Sequence, residues 1–399
     1  MLAMLQSMVH RIPGQTPEKI TSDLVRSGFE NIRCIVGDQK FCVSLENHTY
    51  RWDVLAISKA LDLIASGLDE PLEINLLLLE NEVPRKLVSV NLYDWKNFTL
   101  GYTDPADIEG RISLTHRTDS IVRILKKTEA VNRSRNKFDL VIYPQFYFEN
   151  TLKYKFYETQ INLAPALEFS LWKGNRFTGQ VIFPIHNNLG YEGDHIRPGI
   201  VSISQEIRLS DNFSSTFAAG NFPGSTYGFV SEFNLLMFNG QFNLELTCGA
   251  IGSSYFLDGE WVHSPIDRIT GAFSASWFWS HFNMELEAGG ARYVSEDYGL
   301  FATCTRHFNE TSVGLYAQIG EFGNNGGFFF SVPLPFKKRS SRRFFRITIP
   351  EQYGFNYNAG TYIYYGQSIS TVPNSIYKDR LFWNESIKNM IINLKNSSK

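Results

Sequence analysis

A chain of 399 residues is long enough for two or three domains and a large core, and its formal net charge of −2 lacks the basic excess that a nucleic-acid binder carries. Hydrophobic residues make up 43%, mean hydropathy is −0.19, and no apolar run reaches the ~18 residues of a membrane helix, which excludes helical spans but not barrel strands, where only alternate residues face lipid. The 32 Phe, 19 Tyr and 7 Trp fit the interfacial girdles of such a barrel, with an aromatic-rich β-sandwich as the competing architecture.

Residues 1–14 read as a flexible lead-in. Met1 to Ser7 lacks the charged segment and full apolar stretch of a signal peptide, so for an exported chain the given start is expected to be processed or mis-assigned. Residues 15–103 then read as a small periplasmic α+β domain. Pro17 to Gly28 is a helix, Asn31–Val36 and Phe41–Leu45 a hairpin, Trp52–Leu68 an amphipathic helix, and Leu72–Leu79 with Lys86–Asn91 a second hairpin. The second helix carries Val54, Ile57, Ala60, Leu61 and Ile64 on one stripe, the pattern of a helix packed on a sheet. Cys34 and Cys42 flank the Gly37-Asp38-Gln39 turn and are either free or, in one register, bridged. The polar, charged stretch 104–137 reads as a linker with some strand character.

Residues 138–334 alternate with a period of two, which means strands. From Tyr157 to Leu171 the odd positions are mostly apolar, while the even ones include Glu158, Gln160, Asn162 and Glu168. Twelve strands are expected: 138–148, 156–172, 176–187, 198–210, 212–220, 225–238, 241–252, 269–280, 281–292, 297–308, 311–320 and 326–334. Asn239-Gly240 is a strong hairpin signal between two of them. Connections after even strands are tight, as at Ser210-Asp211 and Ser280-His281, whereas those after odd strands, notably 188–197 and 252–268, are longer. A transmembrane antiparallel β-barrel in the bacterial outer membrane predicts this alternation, with short turns and both termini periplasmic. On this reading Cys248 and Cys304 face lipid. Residues 335–399 form a periplasmic tail with strands at 344–349 and 361–365 and a terminal helix over 375–394, expected to dock on the N-terminal domain. Its basic run, Lys337, Lys338, Arg339, Arg342 and Arg343, is a solvated loop or a contact for anionic headgroups.

The acidic face of the strands lines an enclosed watery space. Glu158, Glu168, Glu206, Glu232, Glu245, Glu285 and Glu287, against Arg176 and Arg208, give either a self-paired hydrated interior or a surface where carboxylates and amides bind sugar hydroxyls and disfavour anions. A glycosidase would need two carboxyls at a set separation, and Glu245 opposite Glu285 or Glu287 across the lumen is the candidate pair. Gly-rich phosphate loops, His-Glu-x-x-His and Cys-x-x-Cys are all missing from the sequence, so neither a cofactor nor a metal is expected.

Ile182-Phe183-Pro184-Ile185-His186-Asn187-Asn188, Arg197-Pro198-Gly199, Ala218-Ala219-Gly220-Asn221-Phe222 and Tyr227-Gly228 resemble the YjbH exopolysaccharide-biosynthesis family. So do Asp297-Tyr298-Gly299, Arg306-His307-Phe308, Gly320-Glu321-Phe322-Gly323 and Val332-Pro333-Leu334, and, nearer the start, Gly28-Phe29-Glu30-Asn31. The likeness covers most of residues 20–390 and matches the later half of family members, which are longer. It implies an outer-membrane barrel associated with capsule or exopolysaccharide secretion. The expected function is assembly or export of surface polysaccharide without catalysis, with outer-membrane lipid, the polysaccharide and periplasmic secretion proteins as partners. The alternatives are an outer-membrane anchor that docks periplasmic partners and, more distantly, a glycan- or lipid-modifying barrel enzyme.

Overall fold

The computed structural model describes residues 17–37, 39–69, 72–151, 155–257, 259–321, 323–339, 344–359, 369–371, 373 and 383–396. A five-stranded sheet near the N-terminus has the order β1 (Phe29–Val36), β2 (Lys40–Asn47), β3 (Glu73–Glu80), β4 (Val83–Asn91), β5 (Ser113–Thr115). Strands β2 and β3 are parallel, and parallel neighbours need a crossover. The expected amphipathic helix supplies it: α2 (Asp53–Ser66), which follows α1 (Pro17–Arg26), buries Val54, Ile57, Ala60, Leu61 and Ile64.

The stretch expected to be a linker is folded. After α3 (Leu92–Leu100), capped by the Asn91 side chain at the Tyr93 N–H and ended by Gly101 at φ 84°, come α4 (Pro105–Arg111), β5 and α5 (Asp119–Leu125). Ile108, Ile112 and Leu114 join the main core, while Ile121 and Leu125 cover the sheet's other face against Cys42, Leu77 and Leu87. Cys34 and Cys42 are free. Cys34 stands opposite Val43 and Cys42 opposite Ile35, so alternation sends the two thiols to opposite faces of the hairpin. Burial pushes both thiols up, that of Cys34 to about 11.

A fifteen-stranded sheet makes up most of the rest. The twelve expected strands are β6 (Phe138–Thr151), β7 (Lys155–Phe169), β8 (Asn175–Asn187), β9 (Arg197–Arg208), β10 (Phe213–Phe222), β11 (Thr226–Met237), β12 (Phe242–Leu257), β14 (Arg268–Trp279), β15 (Met284–Arg292), β16 (Tyr298–Phe308), β17 (Thr311–Gly320) and β18 (Gly323–Pro333), each antiparallel to the next of the twelve. Two strands, β13 (Glu260–His263) and β20 (Gln352–Asn358), were not expected, and the strand expected at 344–349 joins this sheet, not that of the N-terminal domain on which it was expected to dock. In place of a long loop, β12 runs on and returns as β13, β19 (Phe345–Thr348) pairs parallel with β6, and β20 follows β18. The sheet curls until its ends approach, with Phe355 of β20 6.2 Å from Phe146 of β6, but among the described residues no ladder joins β20 to β6. The Asn239-Gly240 hairpin has a four-residue loop, since Met237 pairs with Phe242. The expected strand at 361–365 lies outside the described residues.

The two faces of this wall differ as the alternation requires. Phe229, Ile269, Leu300, Leu315 and Ile319 are each more than 60% exposed on the outside, whereas Asn162, Ala164 and Ala166 of β7 are buried within. An exposed aliphatic or aromatic side chain forgoes roughly 1.5–3 kcal/mol in water, so a surface of them calls for an apolar surround. Cys248, exposed, and Cys304, in register with Leu315, share the outer face.

The tight turns converge on the N-terminal unit, which caps that end of the wall. Gly174 N–H donates to the Asn81 carbonyl, Thr118 N–H to Asp211, the Asn239 side chain to the Leu114 carbonyl, and Arg51 pairs with Glu310. The last helix, α6 (Asn384–Asn396), completes the cap's core with Ile387, Met390, Ile391 and Ile392, while Ser386 bonds Asn283 in another turn.

Candidate functional site

Among the described residues, two cavities lie inside the wall. The first, about 780 Å³, is bounded by strands from β6 round to β20 and reaches the rim at Phe222–Ser225. Its lining is mainly amide, hydroxyl and aromatic, with Gln160, Gln318, Asn356 and Tyr316 among it, and Glu285 and Glu287 on one side. The second, about 730 Å³, lies between β6–β12 and the cap and is densely charged. Glu168, Glu206, Glu232 and Glu245 line it. Glu158 sits on the inward parity of β7, two residues before Gln160.

These carboxylates are partnered. Glu168 accepts from Arg176 and from the Tyr143 hydroxyl, both at 2.7 Å, and Glu206 is held by Arg85 of the cap. Glu232 accepts from Thr371 at 3.5 Å. Glu285 meets His307 Nε2 at 3.3 Å and accepts from the Trp383 indole at 3.2 Å. Arg208 donates to the Pro84 and His116 carbonyls of the cap and to Asp211. These partners lie up to roughly 140 residues away in sequence, so no local signal reveals them.

The expected facing pair of acids does not form. Glu245 stands in register with Ser274, and Ser276, on the same strand, with Glu287, so Glu245 and Glu287 lie two strands apart on the same side of the wall, in different cavities. Sequence reasoning missed a chain of three groups, Ser312 to His307 Nδ1 at 2.9 Å and His307 Nε2 to Glu285. His307 and Ser312 are direct cross-strand neighbours and Ser312 is 2% exposed, so the chain ties three adjacent strands together at the wall of the first cavity.

The tail reaches the interior as well as the cap. Ile369 packs with Ala218, Phe222, Val230 and Ile251, Pro373 borders both cavities, and Trp383 stacks on Phe278 at 5.3 Å. Of the basic run, Arg339 pairs with Glu351 and Lys338 lies over the Tyr50 ring of the cap, while Lys337 is exposed. Arg342 and Arg343 lie outside the described residues.

Fold and interior together define a curled β-wall with an apolar outside and a polar inside, capped at its turn end by an α/β unit. The chain belongs to the YjbH family, described as exopolysaccharide biosynthesis protein YbjH, whose model matches residues 7–206, 200 of the 399. That match takes in the cap and the wall as far as β9, and with them the Pro184–Asn188 and Arg197–Gly199 motifs. No curated protein matches the sequence. Among solved structures, the chain is similar to a loop L8 deletion mutant of OmpT, an outer membrane protein of Vibrio cholerae, at 6% identity and a TM-score of 0.26, over 49% of this chain and 85% of that one.

Proposed function

We propose that the chain is an outer-membrane barrel that takes part in the assembly or export of exopolysaccharide and performs no chemistry of its own. One observation carries this reading: the wall turns Leu, Ile, Phe and Trp outward and lines its interior with carboxylates, amides and hydroxyls, which is the inversion of a soluble protein that a lipid surround demands. Membership of an exopolysaccharide family supports a polysaccharide as the cargo. Short turns of outer-membrane barrels face the periplasm, which would put the cap there, beside other secretion proteins. The test has two parts. The protein should fractionate with the outer membrane and migrate differently on a gel with and without boiling, and its deletion should reduce exopolysaccharide output. Normal output without the protein would refute the reading.

A second reading, an anchor that presents the cap to periplasmic partners, is favoured by the cap's seal on the turn end and by the tail inside the wall. Conductance in planar bilayers separates the two, because an anchor should remain closed under all conditions while an export barrel should show openings.

A further inference from the structure

Beyond Ser253 the strand β12 outruns its neighbours. Its ladder with β11 ends at Thr226↔Ser253, with Ser254 N–H still reaching the Ser225 carbonyl, and that with β14 at Ile251↔Arg268, so residues 255–257 pair with β13 alone among the described strands. The result is a two-stranded ribbon standing clear of the wall. All four residues of β13 are exposed, and Trp261 is 49% exposed. Isolated ribbons are marginal in water, and this one is braced by aromatic contacts. Tyr227 meets Trp261 edge-on at 5.6 Å and His263 edge-on at 5.7 Å, while the Trp261 and His263 rings lie 4.4 Å apart. Polar ties fix the rings in place: the Trp261 indole N–H donates to Ser254 Oγ at 2.9 Å, Ser254 donates to Asn221 Oδ1, and the Tyr227 hydroxyl to the Ser264 carbonyl.

We propose that this ribbon is a sugar-stacking platform at the mouth of the first cavity, where a pyranose ring of a hydroxyl-rich glycan lies on Trp261, backed by Tyr227 and His263. The proposal rests on the exopolysaccharide reading above. An indole face is electron-rich and attracts the C–H edges of a sugar ring, and a ring locked by its own hydrogen bond has little rotamer freedom left to lose on binding. The site is continuous with the interior: Ser254, Tyr255 and Phe256 of the ribbon line the first cavity, as does Asn221, and Phe256 stands directly opposite Trp261. Burial in lipid is the competing use of an exposed Trp, but here the N–H is turned back onto Ser254 and the ribbon carries exposed Glu260 and His263, a poor composition for hydrocarbon.

The test uses the full-length protein in lipid nanodiscs, with cellohexaose and maltohexaose as probes and calorimetric titration as readout. Wild type should bind at least one probe saturably. Trp261→Ala should weaken that binding at least about ten-fold, with Trp261→Phe retaining most of it and Trp172→Ala, at an exposed Trp beside a tight turn, changing nothing. Gel mobility before and after heating shows whether each variant has folded, and Tyr227→Leu provides a second disruption that leaves the indole in place. Binding by Trp261→Ala equal to wild type, or no saturable binding by wild type, overturns the platform. So does quenching of the Trp261 emission, taken as the difference between wild type and Trp261→Phe, by brominated acyl chains, which would place the ring in lipid. Failure to bind while exopolysaccharide output still depends on the protein removes the platform alone. Output independent of the protein removes the reading on which it rests.

Discussion

Arg85 of β4 grips Glu206 of β9 through both terminal nitrogens, Nη2 donating to Oε2 at 2.7 Å, and so ties the cap to the wall across 121 residues of sequence. Glu206 is 11% exposed, so removing its partner leaves a largely desolvated carboxylate. Arg85→Ala should destabilise the protein by about 1–3 kcal/mol, less than a fully buried pair because the guanidinium is a quarter exposed. Adding Glu206→Gln should restore part of the loss. Thermal unfolding of the single and double variants measures both effects.

The cap carries its own pH window. Burial alone would raise the Glu46 carboxyl, but the hydrogen bond and charge of His48, with donors Asn31 and the Asn81 N–H, hold it down at about 2. Burial likewise opposes protonation of His48, yet the Glu46 hydrogen bond and charge, with Glu30 nearby, raise it above 6.5 against the repulsion of Arg346. A lowered carboxyl contributes stability that is whole above its unfolded value near 4.5 and is lost as pH falls toward about 2. A raised imidazole contributes stability that is whole below 6.5 and is lost as pH rises through its folded value. Melting temperature should therefore plateau between about 4.5 and 6.5 and fall on both sides. His48→Gln should flatten the alkaline limb, and Glu46→Gln should reduce both.

Ile391 of α6 is fully buried in the core of the cap. Ile391→Ala should lower stability by about 2–5 kcal/mol, as other large-to-small core changes do. Faster amide exchange in β1 to β4, with the wall's exchange less affected, would locate the damage.

Alternation made the wall legible. The even positions of β7 could be assigned to the inside because Glu158, Gln160, Asn162 and Glu168 share one parity, and a period of two allows no other grouping. What sequence could not give was burial decided by distant partners. The helices α4 and α5 bury only one or two apolar residues each, Ile108 in the first and Ile121 and Leu125 in the second, too few to show a period among charges, so their segment looked like a linker. The lumen carboxylates were found, but Arg85 beside Glu206 and Trp383 beside Glu285 come from segments remote in sequence.

Ile369 holds the tail against Ala218, Phe222, Val230 and Ile251 inside the wall. Ile369→Asp places a charge in that apolar nest and should loosen the tail. Single-channel conductance in planar bilayers should then exceed that of wild type. Equal conductance would mean that the tail does not obstruct the passage.

The Ser312, His307, Glu285 chain offers a direct check on the proposal that the protein performs no chemistry. Ser312→Ala should leave exopolysaccharide amount and composition unchanged while lowering stability by about 1 kcal/mol through the lost hydrogen bond. Altered composition of the secreted polymer would restore an enzymatic role.

Because α6 closes the hydrophobic centre begun by α1 and α2, the cap cannot finish folding until α6, more than 250 residues beyond β5, has been made. Cap and wall are therefore bound into one assembly event. A chain cut short before α6 would present an open apolar groove on α2 and α4 to whatever protease or chaperone it meets, and truncated forms should be cleared and not merely weakened.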